Sequence, residues 1–332
     1  MKEFKLIDKF FKPLAEGFAG AQNLSDDVAK ISLTKDETLI ISKDMMVENV
    51  HFLVSDGGFK IASKLLLSNL SDLASAGAKP LYYLLGFSKN HLTNKEFVSE
   101  FSRGLKTVQD KFNLGLIGGD TVSAKELTFS ITIFGSVKNN KNLSRPNAKA
   151  GDLIFVSGTI GDAYLGLQIA TKSPKVKITK NQKYFLDRHF FPQPRIELGQ
   201  TLLKNKLSSC AIDVSDGLLS DLNHICQASK VDAEIYQDKL PISAAAKKVL
   251  QSNPTITTLD LITAGDDYEL IFTAAEKNHK KITALANNLG LDLTYVGKIK
   301  KSTDNKFQTT LYKNLQAKNN QIIKTKKYGY EH

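Results

Sequence analysis

Apolar positions follow two spacings in turn, every second residue and every third or fourth, so the sequence predicts strands alternating with helices. Thr38 to Ser42 reads as a short buried strand ending at Asp44. Phe59 to Ala76 then carries helical spacing through Ile61, Leu65, Leu66, Leu70 and Leu73, and Gly77 and Pro80 stop that helix. Leu81 to Phe87 predicts a strand, and Phe97, Phe101, Leu105, Val108 and Phe112 fall on one helix face. Leu114 to Ile117 begins a strand that runs into Gly118, Gly119 and Asp120, and Leu127 to Val137 alternates like a long strand with one wet face.

Lys138 to Gly151 is polar and interrupts the pattern, which predicts two domains, 1–140 and 141–332. The alternation then resumes. Strands are expected at Leu153–Val156, Cys210–Val214, Glu269–Thr273 and Leu293–Ile299, with helices at Asp162–Ala170, Arg195–Leu203, Leu218–Ala228 and Lys277–Leu289. Ser215, Asp216 and Gly217 mark the start of the helix at Leu218. The fold class is therefore α+β (mixed α/β) in two lobes.

A chain of 332 residues, 42% of them hydrophobic, can bury a core of two-domain size. No apolar run is long enough to cross a membrane and no signal-peptide core opens the chain, so a cytoplasmic protein is expected. Two cysteines, Cys210 and Cys226, are too few for a disulfide framework and read as small core residues. The net charge of +11 raises a nucleic-acid reading, but the lysines are scattered and carry no interleaved aromatics or groove-reading motif. They fit a solvated surface that attracts phosphorylated metabolites.

The acids carry more information. Asp27, Asp44, Asp72, Asp120, Asp213, Asp216 and Asp266 mostly follow apolar strands, in contexts such as LIISKD, GLIGGD, AIDVSD and ITAGDD. Carboxylates gathered at strand ends repel one another unless cations neutralise them, which points to hard, oxygen-seeking ions such as Mg²⁺ and hence to phosphates. The usual nucleotide cradles are absent, so small-residue turns such as Gly118-Gly119-Asp120 and Ser157-Gly158-Thr159 are the candidates for backbone contact with phosphate. Six histidines without metal spacing speak against zinc, and no G-x-S-x-G supports acyl transfer.

Nine strings, in order, carry a resemblance. They are SDDVA (25–29), ISKDMMVENVHF (41–52), NLSDLASAGAKP (69–80), LIGGDT (116–121), SRPNAKAGD (144–152), SGTIGDAYLGL (157–167), RHFFPQPRIELG (188–199), AIDVSDGLLSDLNHI (211–225) and AGDDYELIFT (264–273). Together they resemble the thiamine-monophosphate kinase family, within the superfamily of aminoimidazole-ribonucleotide synthetase and selenophosphate synthetase. The resemblance implies a homodimer formed by the N-terminal α/β domain, which binds ATP and Mg²⁺, and a C-terminal α/β domain whose tail contacts substrate. It implies several magnesium ions on Asp27, Ser42, Asp44, Asp72, Asp120, Asp213 and Asp216, with Lys43 contributing through its backbone. Gly119, Asp120, Arg145 and Ser215 would contact ATP, and His51, Asp266 and Tyr330 would contact thiamine monophosphate. Asp44, Asp120 and Asp213 are the implied catalytic set.

Three positions depart from the family pattern: Ser25 where Gly is common, Lys43 where a small hydroxyl residue is common, and Ala264-Gly265-Asp266 in place of Gly-Gly-Glu. The implied reaction is phosphorylation of thiamine monophosphate to thiamine diphosphate by direct in-line transfer from ATP, the last step of thiamine diphosphate formation. Its acceptor, a phosphate monoester with a second pKa of about 6, is already largely dianionic and requires no general base. Two alternatives are weighed against it: a sister ATP enzyme with another substrate, and a basic nucleic-acid-binding protein.

Overall fold

The computed structural model describes residues 3–26, 28–173, 180–314, 322–323 and 329–330. The chain divides into two compact units, Met1–Leu73 with Ala78–Lys141, and Ala74–Gly77 with Asn142–His332. The division falls inside the polar stretch Lys138 to Gly151, and one short piece before it, Ala74–Gly77, counts with the second unit.

In the first unit a short helix, α1 (Glu3–Leu6), precedes β1 (Glu37–Val47), α2 (Gly58–Ala76), β2 (Lys79–Lys89), α3 (Lys95–Phe112), β3 (Gly115–Ser123) and β4 (Thr128–Lys138). The strands form one sheet in the order β1-β4-β2-β3, antiparallel except for the β2–β3 pair. Helix α3 is amphipathic, and it buries Phe97, Val98, Phe101, Leu105 and Val108. Asn94 caps it, its side chain accepting from the Phe97 N–H at 2.8 Å. Phe87, Phe101 and Phe129 meet beneath the sheet with ring centroids 4.7–5.2 Å apart. Burying each ring contributes roughly 1.5–3 kcal/mol, so this aromatic knot is a principal anchor of the sheet.

Two expectations are corrected here. The first strand is neither short nor fully buried: β1 runs for 11 residues, and Ile41, Lys43 and Met45 are exposed on one face while Ser42, Asp44 and Met46 turn to the other. The Gly118-Gly119-Asp120 sequence is not a turn, because it lies inside β3 paired with Leu84, Leu85 and Gly86. A methyl group at Gly119 would sit 2.0 Å from the Leu85 carbonyl oxygen, so glycine is there to let two strands approach.

The second unit contains β5 (Leu153–Ser157), α4 (Asp162–Ala170), α5 (Gln182–Phe190), α6 (Ile196–Lys204), β6 (Cys210–Asp213) and α7 (Leu218–Ser229). After these come β7 (Val231–Tyr236), α8 (Ala244–Ser252), α9 (Thr258–Ile262), β8 (Leu270–Ala274), α10 (His279–Leu289), β9 (Leu293–Lys301) and β10 (Thr309–Tyr312). Its six-stranded sheet has the order β10-β7-β9-β5-β8-β6. One core lies between the sheet and α7, built on Val156, Ile212, Leu222, Ile225 and Ile271. A second, with Phe155, Leu198, Leu202, Phe272 and Ile282, packs α6 and α10 against the other face. The two-lobed, mixed α/β architecture is the one the sequence predicts.

Candidate functional site

In the first unit the acids occupy both faces of the sheet. On the face covered by α2, the Ser42 hydroxyl donates to Asp72 Oδ2 at 2.5 Å, and the Asp44 N–H donates to Asn69 Oδ1 at 3.1 Å. Asn69 is fully buried and ties its own amide to the Leu65 carbonyl, so one α2 side chain fixes the strand position of Asp44. Asp44 and Asp72 therefore do not lie at strand ends as expected. The first is mid-strand and the second is on a helix.

Lys43 projects from the opposite face into a cavity of about 810 Å³, whose polar lining includes Asp26, Asp120, Thr121, Ser130 and Thr132. The lysine ammonium is thus on the other side of the sheet from Ser42 and Asp44. Asp120 shares the cavity with Lys43 but sits on β3, at the opposite edge of the sheet from β1. Three strand spacings separate Asp44 from that edge, roughly 14 Å, which is too far for the two carboxylates of one chain to share an ion. Asp27 lies outside the described residues, and its neighbour Asp26 lines the cavity. His51 follows β1 in a tight turn, where its Nδ1 accepts from the Val47 N–H at 3.1 Å. That bond makes Nδ1 the unprotonated nitrogen of the neutral ring.

In the second unit the candidates converge where β6 passes into α7. Asp213 ends β6 and is buried. Ser215 and Asp216 follow, and the carboxylate of Asp221, in the first turn of α7, accepts the N–H groups of Asp216 and Gly217, both at 3.1 Å. The predicted side-chain cap from Ser215 or Asp216 is replaced by this reach back from inside the helix, while Gly217 holds the cap position. Burial, with the charges of Asp213 and Asp216 beside it, pushes the Asp221 carboxyl well above the usual carboxylate range. Asp216, Asp221 and His224 place one ligand atom each within 4.8 Å of one another. Close carboxylates that resist joint ionisation form a donor set suited to a hard divalent cation.

Two further segments hang on this loop. The Asp266 N–H donates to the Ser215 carbonyl and the Tyr330 N–H to the Asp216 carbonyl, each at 2.8 Å. Gly329 has no room for a side chain, since a methyl group would lie 2.4 Å from Ser220 Cβ, and glycine there lets the backbone approach α7 closely. Tyr330 is 45% exposed. Arg145 is also exposed, and its carbonyl accepts from the Ser229 hydroxyl at 2.7 Å, which fixes it beside β6 and α7. The second unit thus gathers Asp213, Ser215, Asp216, Asp266 and Tyr330 around one turn, while Arg145 is held through Cys210 and Ser229 at the far ends of β6 and α7.

Sequence reasoning missed several residues here. Asp221 and His224 fell inside a quoted string, and their spacing from Asp216 on the first helical turns was the available signal. Glu269 is fully buried, and its carboxylate accepts from Arg188 Nη2 (2.8 Å), Arg195 Nε (2.6 Å), Arg195 Nη2 (2.5 Å) and Ser157 Oγ (2.6 Å). Asp267, equally buried, accepts the Gly161 N–H at 2.8 Å, and burial pushes its carboxyl well above the usual range.

The family AIR synthase related protein, N-terminal domain, matches residues 25–137, and its C-terminal domain matches residues 149–309. The thiamine-monophosphate kinase of Buchnera aphidicola subsp. Schizaphis graminum is 36% identical over 334 residues, covering 99% of this chain and 98% of its own. A crystal structure of thiamine-monophosphate kinase from Stenotrophomonas maltophilia K279a superposes with a TM-score of 0.82 at 33% identity, covering 95% of this chain and 98% of that one. A structure described as AaThiL complexed with AMPPCP and TMP superposes with a TM-score of 0.75 at 26% identity, over 95% of both chains. With both domains matched and the sequence shared from end to end, the chain belongs to the thiamine-monophosphate kinase family of AIR synthase-related proteins.

Proposed function

We propose that the chain transfers the γ-phosphoryl group of ATP to thiamine monophosphate, giving thiamine diphosphate and ADP. The observation that carries this reading is the solved relative that binds an ATP analogue together with TMP and superposes over nearly the whole chain. The acids described above supply the chemistry. Asp44, Asp72 and Ser42 in one unit, Asp120 across the sheet, and Asp213 and Asp216 in the other offer hard oxygen donors of the kind Mg²⁺ takes. Asp27 joins this set from outside the described residues, and Lys43 contributes only its main chain, because its ammonium lies on the far face. Magnesium, when bound, neutralises charge between two polyanions that must meet.

The protein's own residues position the reactants. In this reading the main chain at Gly119, the Asp120 carboxylate, the Arg145 guanidinium and the Ser215 hydroxyl contact ATP. Asp266 suits the cationic thiazolium, Tyr330 offers a flat ring for cation–π contact, and His51 is the candidate partner on the first unit. No side chain is required as a covalent carrier, so transfer is direct and in line, with Asp44, Asp120 and Asp213 as the catalytic acids of this reading.

The protein acts as a cytoplasmic homodimer in this reading. Among the described residues no helix is long and apolar enough to cross a membrane. Ile41 and Met45, 56% and 50% exposed on the edge strand β1, are apolar side chains that a second copy could cover. ADP release measured with ATP and Mg²⁺, with and without thiamine monophosphate, tests the function. Turnover that ignores thiamine monophosphate would favour a sister ATP enzyme.

A further inference from the structure

The acidic run Asp266-Asp267-Tyr268-Glu269 divides by face. Asp267 and Glu269 are almost completely buried, whereas Asp266 and Tyr268 are half-buried. Asp266 and Tyr268 also hold left-handed backbone conformations, at φ +64° and +50°. Such conformations in residues other than glycine are sparsely populated and persist only where the surroundings over-determine them. The surroundings are on the inward face. Glu269 uses both carboxylate oxygens on Arg188, Arg195 and Ser157, and Asp267 holds the N–H groups at the start of α4. Main-chain bonds from Val214 to Glu269, Tyr268 to Val214 and Asp266 to Ser215, each 2.8 Å, then lock the run to the β6–α7 turn.

Helix α5 contributes two adjacent residues to this arrangement. Arg188 reaches Glu269, and His189, 4% exposed, brings Nδ1 to 3.6 Å from Asp266 Oδ2. A buried carboxylate with two arginines adds little stability over a well-packed apolar cluster, but it fixes geometry closely, since Arg195 grips both carboxylate oxygens and Arg188 and Ser157 hold one each.

We propose that Glu269 is a positioning residue for the substrate-binding carboxylate of Asp266, acting through the Arg188–Glu269–Arg195 clasp. The inference rests on the reading that Asp266 contacts thiamine monophosphate. Glu269 touches neither substrate nor the reacting groups. Its effect is on where Asp266 stands, and so on how well the acceptor is bound.

The test is a double-mutant cycle on the full-length enzyme, with KM measured separately for thiamine monophosphate and for ATP. Glu269→Gln is expected to raise the thiamine monophosphate KM about tenfold while leaving the ATP KM within about twofold. In an Asp266→Asn background the same substitution has no further effect on that KM. Ser157→Ala removes one of the four bonds without unpairing the arginines. It gives a smaller rise, about two- to threefold, that also disappears in the Asp266→Asn background, and it decides the matter if Glu269→Gln does not fold. Equal rises in both KM values, or rises that persist beside Asp266→Asn, would overturn the proposal and leave Glu269 a structural residue. If Asp266→Asn alone left the thiamine monophosphate KM unchanged, the reading of Asp266 itself would fall and the proposal with it.

Discussion

The main-chain N–H of Tyr330 donates to the carbonyl of Asp216 at 2.8 Å, so an aromatic ring near the end of the chain is carried by the loop that also carries the Asp216 carboxylate. One residue earlier, the Ser215 carbonyl holds Asp266 in the same way. A cation-seeking ring and a cation-seeking carboxylate are thereby referenced to consecutive peptide groups.

Tyr330→Ala should therefore weaken acceptor binding without disturbing ATP. A cation–π contact of about 0.5–2 kcal/mol corresponds to a rise of roughly 2- to 30-fold in the thiamine monophosphate KM. Steady-state kinetics with each substrate varied in turn would check it, and an unchanged KM would place the ring in solvent.

Asp44→Asn and Asp213→Asn are expected to lower kcat by about a hundredfold or more, the scale seen when a preorganised charge partner is lost. The fold should survive the first substitution, because Asn69 holds the Asp44 main chain rather than its carboxylate. Turnover measured beside thermal melting would show this, and near-normal turnover at ordinary magnesium would count against the metal assignment.

Asp221 supplies a pH dependence. Its carboxyl is held well above the usual range by burial, then by Asp213 and Asp216, so it takes up a proton at a higher pH than an ordinary aspartate. A cation needs the ionised form, and protons compete for it as pH falls. The magnesium concentration for half-maximal activity should rise from about pH 8 to about pH 6 more steeply in the native enzyme than in Asp221→Asn. Identical slopes would remove Asp221 from the cation site.

Gly119→Ala should be poorly tolerated, since the new methyl group would meet the Leu85 carbonyl at 2.0 Å and force β2 from β3. A loss above about 2 kcal/mol in denaturant unfolding is expected. An unchanged midpoint would mean the strands separate freely.

Cys210 and Cys226 are buried, and burial pushes each thiol up to about 12. Neither should react with a thiol reagent in the native protein near neutral pH, and both should react in denaturant. Labelling followed by mass spectrometry would settle it.

The helices with strong periodicity were legible in the sequence because a single face decides them, as Phe97, Phe101 and Leu105 do for α3. β1 reads short because Ser42, Lys43 and Asp44 break its apolar run, and such a polar break looks like the end of a strand. Gly118-Gly119-Asp120 was read as a turn because small residues serve turns and close strand contacts alike. α5, β7, α8, α9 and β10 went unread, being short elements whose partners are distant in sequence. At the candidate site the recurring aspartates and the family strings singled out Asp44, Asp72, Asp120, Asp213, Asp216 and Asp266, which range from exposed to buried. Glu269 and Asp221 were not singled out, because an acid's burial and its partners are settled by tertiary structure; nothing local in DDYEL distinguishes the carboxylate that faces outward from the two that anchor it.

The most direct test of the central claim follows the label from γ-labelled ATP with the purified protein, Mg²⁺ and thiamine monophosphate. The account predicts label in thiamine diphosphate only when all three are present, and none on the protein with ATP alone. Stoichiometric label on the protein would contradict direct transfer, and no labelled thiamine diphosphate under the complete conditions would contradict the function itself.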